Sequence, residues 1–250
     1  MIRILISGIS GQMGHAVTHA VSVSEGQFSV LCGVDRYQAP DITCPIYPTF
    51  EDVTEDPDVI IDFSLPEMLP SLLRFALRRN IPVVIGTTGL SDKDKKSLYE
   101  ASERIPVFQT GNMSVGVNLQ TELIAKAASA LGSDFDVEII ETHHNTKLDS
   151  PSGTALMLAD AVKSQRPDSE YVFGRSGQHK RQPNEIGIHA IRMGNIVGEH
   201  EVMIGTNNQT ITLKHEAHSR ALFAEGALAA AAFLQGKGAG LYDMKSMIAF

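Results

Sequence analysis

Near its N-terminus the sequence reads Ile2-Arg-Ile-Leu-Ile-Ser-Gly8-Ile-Ser-Gly11-Gln-Met-Gly14, and this stretch decides the fold. An apolar, β-branched run over residues 2–6 predicts a strand, and the glycines then break it. Apolar residues with helical spacing follow over residues 16–21. A strand, a glycine-rich turn and a helix are typical of the first unit of a dinucleotide-binding sheet. The glycine spacing alone is weak evidence, because Ser10 stands where the middle glycine is usual and an ordinary tight turn is the alternative.

A second predicted strand, over residues 28–34, ends at Asp35, which Arg36 follows directly. In dinucleotide-binding folds an acidic residue about 20 positions past the glycines hydrogen-bonds the adenosine ribose, and a nearby arginine accommodates a 2′-phosphate. The alternatives are an Asx turn at Asp35 and a solvated surface charge at Arg36. Together with the glycines, the pair favours a nucleotide site and leaves the choice between NADH and NADPH open.

Near-continuous apolar runs at 58–63, 82–86 and 106–109 predict further strands buried on both faces of a parallel sheet. Helical segments lie between them, and Ser91 is the predicted N-cap of one. Ligands of such sheets bind at the carboxyl ends of the strands. The segments that we expect to converge there are Gly8–Gly14, Asp35, Phe63-Ser64, Gly86–Gly89 and Thr110–Asn112.

The second half of the chain has a different pattern. Residues 117–131 read as one helix, and residues 163–183 are polar and predicted to be a loop. Segments 186–192, 196–204 and 209–215 alternate like antiparallel strands, with turns at Gly194-Asn195 and Asn207-Asn208. An alanine-rich helix after Ser219 is expected to pack back on the first domain. The sequence thus predicts an α/β protein with a Rossmann-like parallel-sheet dinucleotide-binding domain, residues 1–113 and 220–250. Residues 114–219 form a second predicted domain, α+β with an open mixed sheet; the resemblance described below implies that this is the substrate-binding and tetramerisation domain.

Composition limits the class of protein. The chain has 250 residues, 43% of them hydrophobic and 20% charged, as in an ordinary globular protein. A net charge of −8 argues against nucleic-acid binding, which favours a basic face. Two cysteines, Cys32 and Cys44, are too few for a disulfide framework. The sequence lacks a signal peptide and an apolar run of about 18 residues, so we expect a cytoplasmic protein without membrane contact.

Residues 138–155, Glu-Ile-Ile-Glu-Thr-His-His-Asn-Thr-Lys-Leu-Asp-Ser-Pro-Ser-Gly-Thr-Ala, carry the chemistry. They place His143, His144 and Lys147 just before a helix that opens at residues 151–154. Helix N-termini bind anions, and histidine titrates near neutral pH, so the stretch predicts a site where an acidic small molecule exchanges a proton. The alternative is a strand–loop–helix joint with exposed histidines. The other histidines are scattered without metal-ligand spacing, so no metal is expected, and His189 and His200 are assigned to core or interface.

The same stretch resembles the 4-hydroxy-tetrahydrodipicolinate reductase (dihydrodipicolinate reductase) family of the diaminopimelate and lysine pathway. The match runs from Glu138 and Glu141 through His143-His144 and Lys147 to Pro151-Ser-Gly-Thr-Ala155, and further motifs extend it over nearly the whole chain. The resemblance implies reduction of a cyclic dicarboxylate by NADH or NADPH in a homotetramer assembled through the second domain. It implies that His143 is the general acid/base, that Lys147 is a catalytic lysine, and that His144, Ser152, Gly153 and Thr154 bind the substrate. The implied cofactor contacts are Gly8, Ser10, Gly11, Gln12, Met13, Gly14, Asp35, Arg36, Gly86, Thr87, Thr88, Thr110, Gly111, Asn112 and Met113, to which the strand-end argument adds Phe63.

Two positions depart from the family pattern. Family members often carry basic residues where this chain has Gln12 and Leu65, so we predict use of both cofactors with no strong bias towards NADPH. One alternative function is another nicotinamide-dependent enzyme acting on an amino-acid-derived dicarboxylate, such as an aspartate or diaminopimelate dehydrogenase. Another is a nucleotide-sensing protein that has lost catalysis, against which the intact His143 and Lys147 argue.

Overall fold

The computed structural model describes residues 1–132 and 134–248, which form two compact units. The first unit comprises Met1–Val115 and the described part of Ala221–Phe250, and the second comprises Gly116–Arg220. Up to the first boundary the elements are β1 (Ile2–Ser7), α1 (Gln12–Ser22), β2 (Phe28–Val34), β3 (Ile46–Tyr47), β4 (Val59–Asp62), α2 (Leu69–Arg79), β5 (Val83–Ile85), α3 (Asp92–Ser102) and β6 (Pro106–Gln109). They continue with α4 (Val115–Leu131), β7 (Asp136–His143), α5 (Gly153–Gln165), β8 (Glu170–Phe173), β9 (Glu185–Arg192), β10 (Gly198–Thr206), β11 (Gln209–Ala217), α6 (Ala221–Leu234), β12 (Gly240–Tyr242) and α7 (Met244–Ile248).

The first unit contains a seven-stranded parallel sheet in the order β12-β6-β5-β4-β1-β2-β3. Side chains of β1 alternate between its two faces, as in any strand. Ile4 and Ile6 therefore belong to a core with α1 and α6, whereas Leu5 belongs to a core with α2 and α3. The strand order reverses direction at β1, which lies between β4 and β2, and a crevice at such a switch point is where open α/β sheets bind ligands.

Helix α6 belongs to the first unit, as the sequence predicted. Its alanines Ala224, Ala227 and Ala231 are fully buried against the core that includes Val17 of α1. Small side chains let the helix approach its neighbours closely. The predicted N-cap at Ser91 is also confirmed: its side chain accepts a hydrogen bond from the Asp94 N–H, and the Asp94 carboxylate accepts one from the Ser91 N–H in return.

The second unit contains a five-stranded mixed sheet in the order β11-β10-β7-β9-β8. Strand β7 lies at its centre, antiparallel to β10 and parallel to β9. Helices α4 and α5 pack on one face, where Val137 and Ile139 of β7 are fully buried. The same alternation places Glu141 and His143 on the buried face of β7.

Three details of the predicted second domain are wrong. Residues 163–183 are not all loop, because α5 continues to Gln165 and β8 spans Glu170–Phe173. The segments 186–192 and 196–204 do not form a hairpin, because β7 lies between β9 and β10 and pairs with both. The first of them is therefore a parallel strand, and β10 starts at Gly198 rather than at residue 196. The predicted fold class, a Rossmann-like parallel sheet with a separate open mixed sheet, is confirmed.

Candidate functional site

The first unit has a cavity of about 680 Å³ at the switch point of its sheet. Three loops line it, and each follows the carboxyl end of one strand: the glycine loop after β1, residues 34–41 after β2, and residues 63–68 after β4. Of the predicted cofactor residues, the cavity brings together Gly8, Ser10, Gly11, Asp35, Arg36 and Phe63.

The glycine loop is built so closely that side chains have no room at two positions. Gly8 has a φ of +80°, and a Cβ there would lie 2.7 Å from the Phe63 carbonyl oxygen. A Cβ on Gly14 would lie 2.3 Å from the Ile9 carbonyl oxygen. These glycines keep the main chain of the loop against β4 and the start of α1, and the positive end of a helix dipole favours a phosphate. The loop and the cavity therefore fit the pyrophosphate of a dinucleotide.

Asp35 and Arg36 lie beside this loop at the end of β2. The Asp35 carboxylate accepts hydrogen bonds from the N–H groups of Ser10, at 3.0 Å, and Tyr37, at 3.1 Å. Arg36 lies 3.2 Å from the Glu67 carboxylate, and both side chains are more than half exposed. Leu65 and Glu67 also line the cavity. The cationic side chain of Arg36 is therefore already paired with an acid, Glu67, at this rim of the cavity.

The other predicted cofactor residues, all in the described part of the chain, lie away from the lining of this cavity. Thr87 is buried and donates a 2.6 Å hydrogen bond to Asp62, itself 1% exposed at the end of β4. Met113 is buried in the core of the first unit, which its sequence neighbours did not predict. The remaining ones lie in the first turn of α1 or in the loops after β5 and β6: Gln12, Met13, Gly14, Gly86, Thr88, Thr110, Gly111 and Asn112.

In the second unit, a cluster of polar side chains surrounds the buried end of β7. Glu141 is fully buried, and its Oε2 atom lies 2.5 Å from Nδ1 of His143. The guanidinium of Arg192 donates one hydrogen bond to each Glu141 oxygen, both at 2.8 Å. The Ser152 N–H donates a fourth, at 3.0 Å. We call these residues, with His200, the histidine cluster.

Strand register explains the histidine cluster. Glu141 of β7 lies opposite His200 of β10, and His143 of β7 lies opposite Arg192 of β9. The His143 and His200 rings meet edge to face with centroids 5.1 Å apart. Ser152, the N-cap of α5, completes the cluster because its hydroxyl lies 2.9 Å from Nε2 of His200 and accepts from the Ala155 N–H.

Burial sets the titration behaviour of the histidine cluster. Burial lowers the pKa of His143 below its usual value, and the hydrogen bond and charge of Glu141 partly oppose this. Burial also lowers the pKa of His200 to about 4, with a further contribution from His143, so His200 is neutral near pH 7. Burial would raise the pKa of Glu141, but hydrogen bonds from Arg192, His143 and Ser152 outweigh it and hold the pKa below its usual value. The cluster thus contains one ionised acid, Glu141, and two histidines whose pKa values lie below their usual range.

The remaining predicted residues follow His143 in the loop before α5. The Lys147 ammonium lies 2.8 Å from the Asp149 carboxylate, and Nδ1 of His144 lies 2.7 Å from the Thr146 hydroxyl. Helix α5 starts at Gly153, two residues before the predicted apolar run, so the Gly153 and Thr154 N–H groups are in its first turn. This segment combines a cation with a helix N-terminus, as an anion site requires.

Sequence reasoning overlooked three members of the histidine cluster. His200 was assigned to core or interface, whereas it contacts Ser152 and His143. Glu141 appeared only as part of a motif, and Arg192 was not singled out. The local sequence signal was the alternation of side chains along β7, because residues two apart, such as Glu141 and His143, lie on the same face of a strand. The contribution of β9 and β10 depends on a register that the sequence does not reveal.

One unit has a parallel sheet with a glycine-lined cavity at its switch point, and the other has a buried histidine–glutamate pair; these features are typical of dinucleotide-dependent oxidoreductases. Family models for the N-terminus and the C-terminus of dihydrodipicolinate reductase match residues 2–113 and 116–248. The chain belongs to the dihydrodipicolinate reductase family.

Relatives and a solved structure agree over the full length. A 4-hydroxy-tetrahydrodipicolinate reductase of Caldanaerobacter subterraneus subsp. tengcongensis is 48% identical, over 99% of this chain and 98% of the relative. One from Clostridium tetani is 43% identical, over 99% and 97%. A dipicolinate-bound dihydrodipicolinate reductase from Paenisporosarcina sp. TG-14 superposes with a TM-score of 0.83 at 26% identity, over 99% of both chains. The predicted family and the predicted oxidoreductase class are confirmed. Within residues 1–132 and 134–248, no helix has the length and apolar character needed to cross a membrane.

Proposed function

We propose that this protein reduces 4-hydroxy-tetrahydrodipicolinate to tetrahydrodipicolinate with a nicotinamide dinucleotide, in the diaminopimelate and lysine pathway. The observation that carries the proposal is the buried pair of His143 and Glu141 on β7, followed directly by the loop that contains Lys147. A proton donor next to a cationic segment suits a substrate that is both an acid and a proton acceptor. The family membership supports the same substrate.

The substrate-binding role falls to the segment from His144 to Thr154. Its dicarboxylate needs two anion sites, and the segment offers the Lys147 ammonium and the N–H groups of the first turn of α5. The Lys147 side chain is 21% exposed, whereas its partner Asp149 is 58% exposed, so a substrate carboxylate can compete with Asp149 for the ammonium. His144, Ser152, Gly153 and Thr154 are the other proposed substrate contacts.

His143 is the proposed general acid, and Lys147 assists it. A nicotinamide, when bound, would supply a hydride to the conjugated C=C–C=N system of the substrate, and the electron pair that this leaves would take up a proton. His143 lies in a buried, partly desolvated position with one ring nitrogen fixed by Glu141, which is how a proton donor is oriented. Lys147 adds positive charge where negative charge develops.

The first unit is the proposed dinucleotide-binding domain, with the cavity contacts and strand-end loops named above as its cofactor residues. We propose that it accepts NADH and NADPH without a strong bias towards NADPH. A 2′-phosphate needs uncompensated positive charge. Here Arg36 is paired with Glu67, and the side chains at Gln12 and Leu65 are neutral, which supports this proposal. The residues of the second unit form the proposed substrate-binding domain. A homotetramer assembled through its sheet and a cytoplasmic location stay predictions.

The test is a cofactor oxidation assay with the purified full chain. Freshly made condensation product of pyruvate and aspartate semialdehyde is added with NADH or with NADPH, and loss of nicotinamide absorbance is followed. We expect turnover with both cofactors and none when the condensation product is omitted. Turnover only in the presence of diaminopimelate or aspartate with the oxidised cofactor would instead support a dehydrogenase. Cofactor binding without turnover of any of these compounds would support a sensor.

A further inference from the structure

The geometry around Glu141 bears on which nitrogen of His143 exchanges the proton. Glu141 has no exposed surface, yet its carboxylate receives two hydrogen bonds from Arg192 and one from the Ser152 N–H. A buried carboxylate with three donors already aimed at it stays ionised. The fourth contact is the 2.5 Å distance between Nδ1 of His143 and Oε2 of Glu141. In this contact the ionised Glu141 carboxylate has no hydrogen and can only accept.

An ionised carboxylate only accepts hydrogen bonds, so the Nδ1 atom of His143 must carry a hydrogen. Each ring nitrogen of a neutral imidazole is either a donor or an acceptor, and a donor at Nδ1 makes Nε2 the acceptor. We propose that Glu141, held in place by Arg192, is a positioning residue that keeps a proton on Nδ1 of His143 and so makes Nε2 the nitrogen that delivers the proton. The proposal rests on the proposed acid role of His143.

The surroundings of Nε2 are consistent with this assignment. Gly198, the first residue of β10, lies against this edge of the ring: a Cβ there would be 3.0 Å from Nε2 and 3.3 Å from Cδ2. A glycine therefore leaves at Nε2 the space that a side chain would take. The His200 and His143 rings meet edge to face, and Nε2 of His200 is engaged by the Ser152 hydroxyl.

The proton balance of the step is simple. Before transfer, His143 is an imidazolium with hydrogens on both nitrogens, and Nδ1–H donates to the Glu141 carboxylate. The Nε2–H bond then breaks, its electron pair stays on Nε2, and the proton forms a C–H bond with the electron pair that reduction leaves on the substrate. His143 ends as a neutral imidazole with its hydrogen on Nδ1, and Glu141 remains ionised throughout.

Charged and titratable groups on four segments face His143. Glu141 of β7 raises the pKa of His143, whereas burial, Lys147 of the following loop and Arg192 of β9 lower it. His200 of β10 is neutral near pH 7, and His215 of β11 adjoins it. Removing the Glu141 charge removes the effect that raises the pKa of His143, so this pKa falls further. The general acid is then lost at a lower pH, and the alkaline fall of the rate moves to lower pH.

The direct test uses the wild-type chain with 15N-labelled histidine and magic-angle-spinning NMR, without substrate or cofactor. The His143 resonances are those absent from His143→Gln. Above the pKa of His143 we expect the hydrogen on Nδ1 and a bare Nε2. A neutral His143 with its hydrogen on Nε2 would overturn the proposal. Since this experiment involves no turnover, it can fail while the reductase assay succeeds, and the reverse.

The kinetic test compares Glu141→Gln with Glu138→Gln. Glu138 also lies on β7 and also meets a histidine and arginines, His189 at 2.7 Å and Arg181 at 3.4 Å, but on the other face. Glu141→Gln is expected to lower kcat roughly 10²-fold with little change in KM, and to move the alkaline limb of the rate profile to lower pH. Glu138→Gln is expected to change neither the limb nor the His143 resonances.

An unchanged pH profile and an unchanged ratio of His143 tautomers in folded Glu141→Gln would contradict the positioning role. A uniform loss of rate with the wild-type pH profile would contradict it as well, because that is the result of a merely structural defect. If Glu141→Gln does not fold, the tautomer of the wild-type chain decides.

Discussion

The cavity of the first unit and the histidine cluster of the second are built in opposite ways. The cavity is made of main chain: Gly8 and Gly14 exclude side chains, and the loops after three parallel strands form its walls. The histidine cluster is made of side chains on three strands and a helix cap, and Glu141 at its centre is 51 residues from Arg192. The cavity depends on the absence of side chains from a short glycine-rich segment. The histidine cluster depends on side chains from strands that are far apart in the sequence.

This difference determines how each site responds to substitution. A main-chain site tolerates changes of charge around it but not an added methyl group where two backbones touch. A cluster of buried polar groups tolerates little change of charge, because each donor lost leaves an acceptor without a partner. We therefore expect chemical substitutions to act mainly on the cluster and steric ones mainly on the glycine loop.

The largest effect is expected for His143→Gln, which removes the proton donor and nearly keeps the size of the side chain. Turnover should fall by about 10²–10⁴-fold, the usual contribution of general acid catalysis, with a much smaller change in KM. Steady-state kinetics with the condensation product measure both constants. His189→Gln, on the other face of the sheet, is the control and should retain its rate. An unchanged rate in His143→Gln would remove the role assigned to His143.

The next effect tests the glycine loop by adding one methyl group. Gly14→Ala places a Cβ 2.3 Å from one carbonyl oxygen and 2.4 Å from another, both main chain, so the start of α1 must move. The expected loss is about 1–3 kcal/mol of unfolding free energy, with weakened dinucleotide binding. Urea unfolding and NADH fluorescence titration measure the two quantities.

Gly238→Ala is the matched control for Gly14→Ala, because a Cβ on Gly238 meets nothing within 4 Å. It should change unfolding free energy by no more than about 0.5 kcal/mol. Equal stability of the two variants would mean that the contact at Gly14 can relax, and the contrast between the two sites would be weaker than proposed.

The two sites also differ in how far the sequence predicts them. Glycine spacing, apolar runs and Asp35 lie within one short segment, so local pattern indicates the parallel sheet and the loops of the cavity. Short strands escape this approach, because β3 has two residues and β12 has three and only their pairing defines them. Met113 escapes it as well, since its burial depends on a helix that begins more than a hundred residues later.

In the second unit, local pattern identifies His143 and the start of α5 but not the residues that hold His143. Arg192 and His200 lie on strands that flank β7 in the sheet, and the turn residues Gly194-Asn195 suggested that these two strands pair with each other. The position of β7 between them is determined by tertiary contacts, because Val137 and Ile139 of β7 pack in the core against α4 and α5. A site that depends on the order of strands in the sheet cannot be derived from the spacing of residues in the sequence.

A smaller effect is expected from Gly198→Ala, which adds a methyl group to the side-chain site. The new Cβ would lie 3.0 Å from Nε2 of His143, so the ring must shift by a few tenths of an ångström. Because a displacement of about 1 Å can cost 10²-fold in rate, we expect a loss of roughly tenfold in kcat. Gly205→Ala, on the same strand, places its Cβ closest to the Thr210 hydroxyl, at 3.3 Å and away from His143, and should keep its rate. Equal rates would show that the ring has room to move.

The smallest effect is expected at the rim of the cavity, where the first unit does use side chains. Glu67→Gln removes the carboxylate 3.2 Å from Arg36 and leaves the guanidinium uncompensated for a 2′-phosphate. The ratio of kcat/KM for NADPH to that for NADH should rise by about two- to fivefold, because exposed ion pairs couple weakly. The rise should shrink as salt is added, since both side chains are more than half exposed. Glu103→Gln, an exposed acid at the end of α3, should leave the ratio unchanged. A ratio that stays constant in Glu67→Gln would mean that Arg36 does not face the 2′ position, and a hundredfold preference for NADPH in the wild type would contradict dual use.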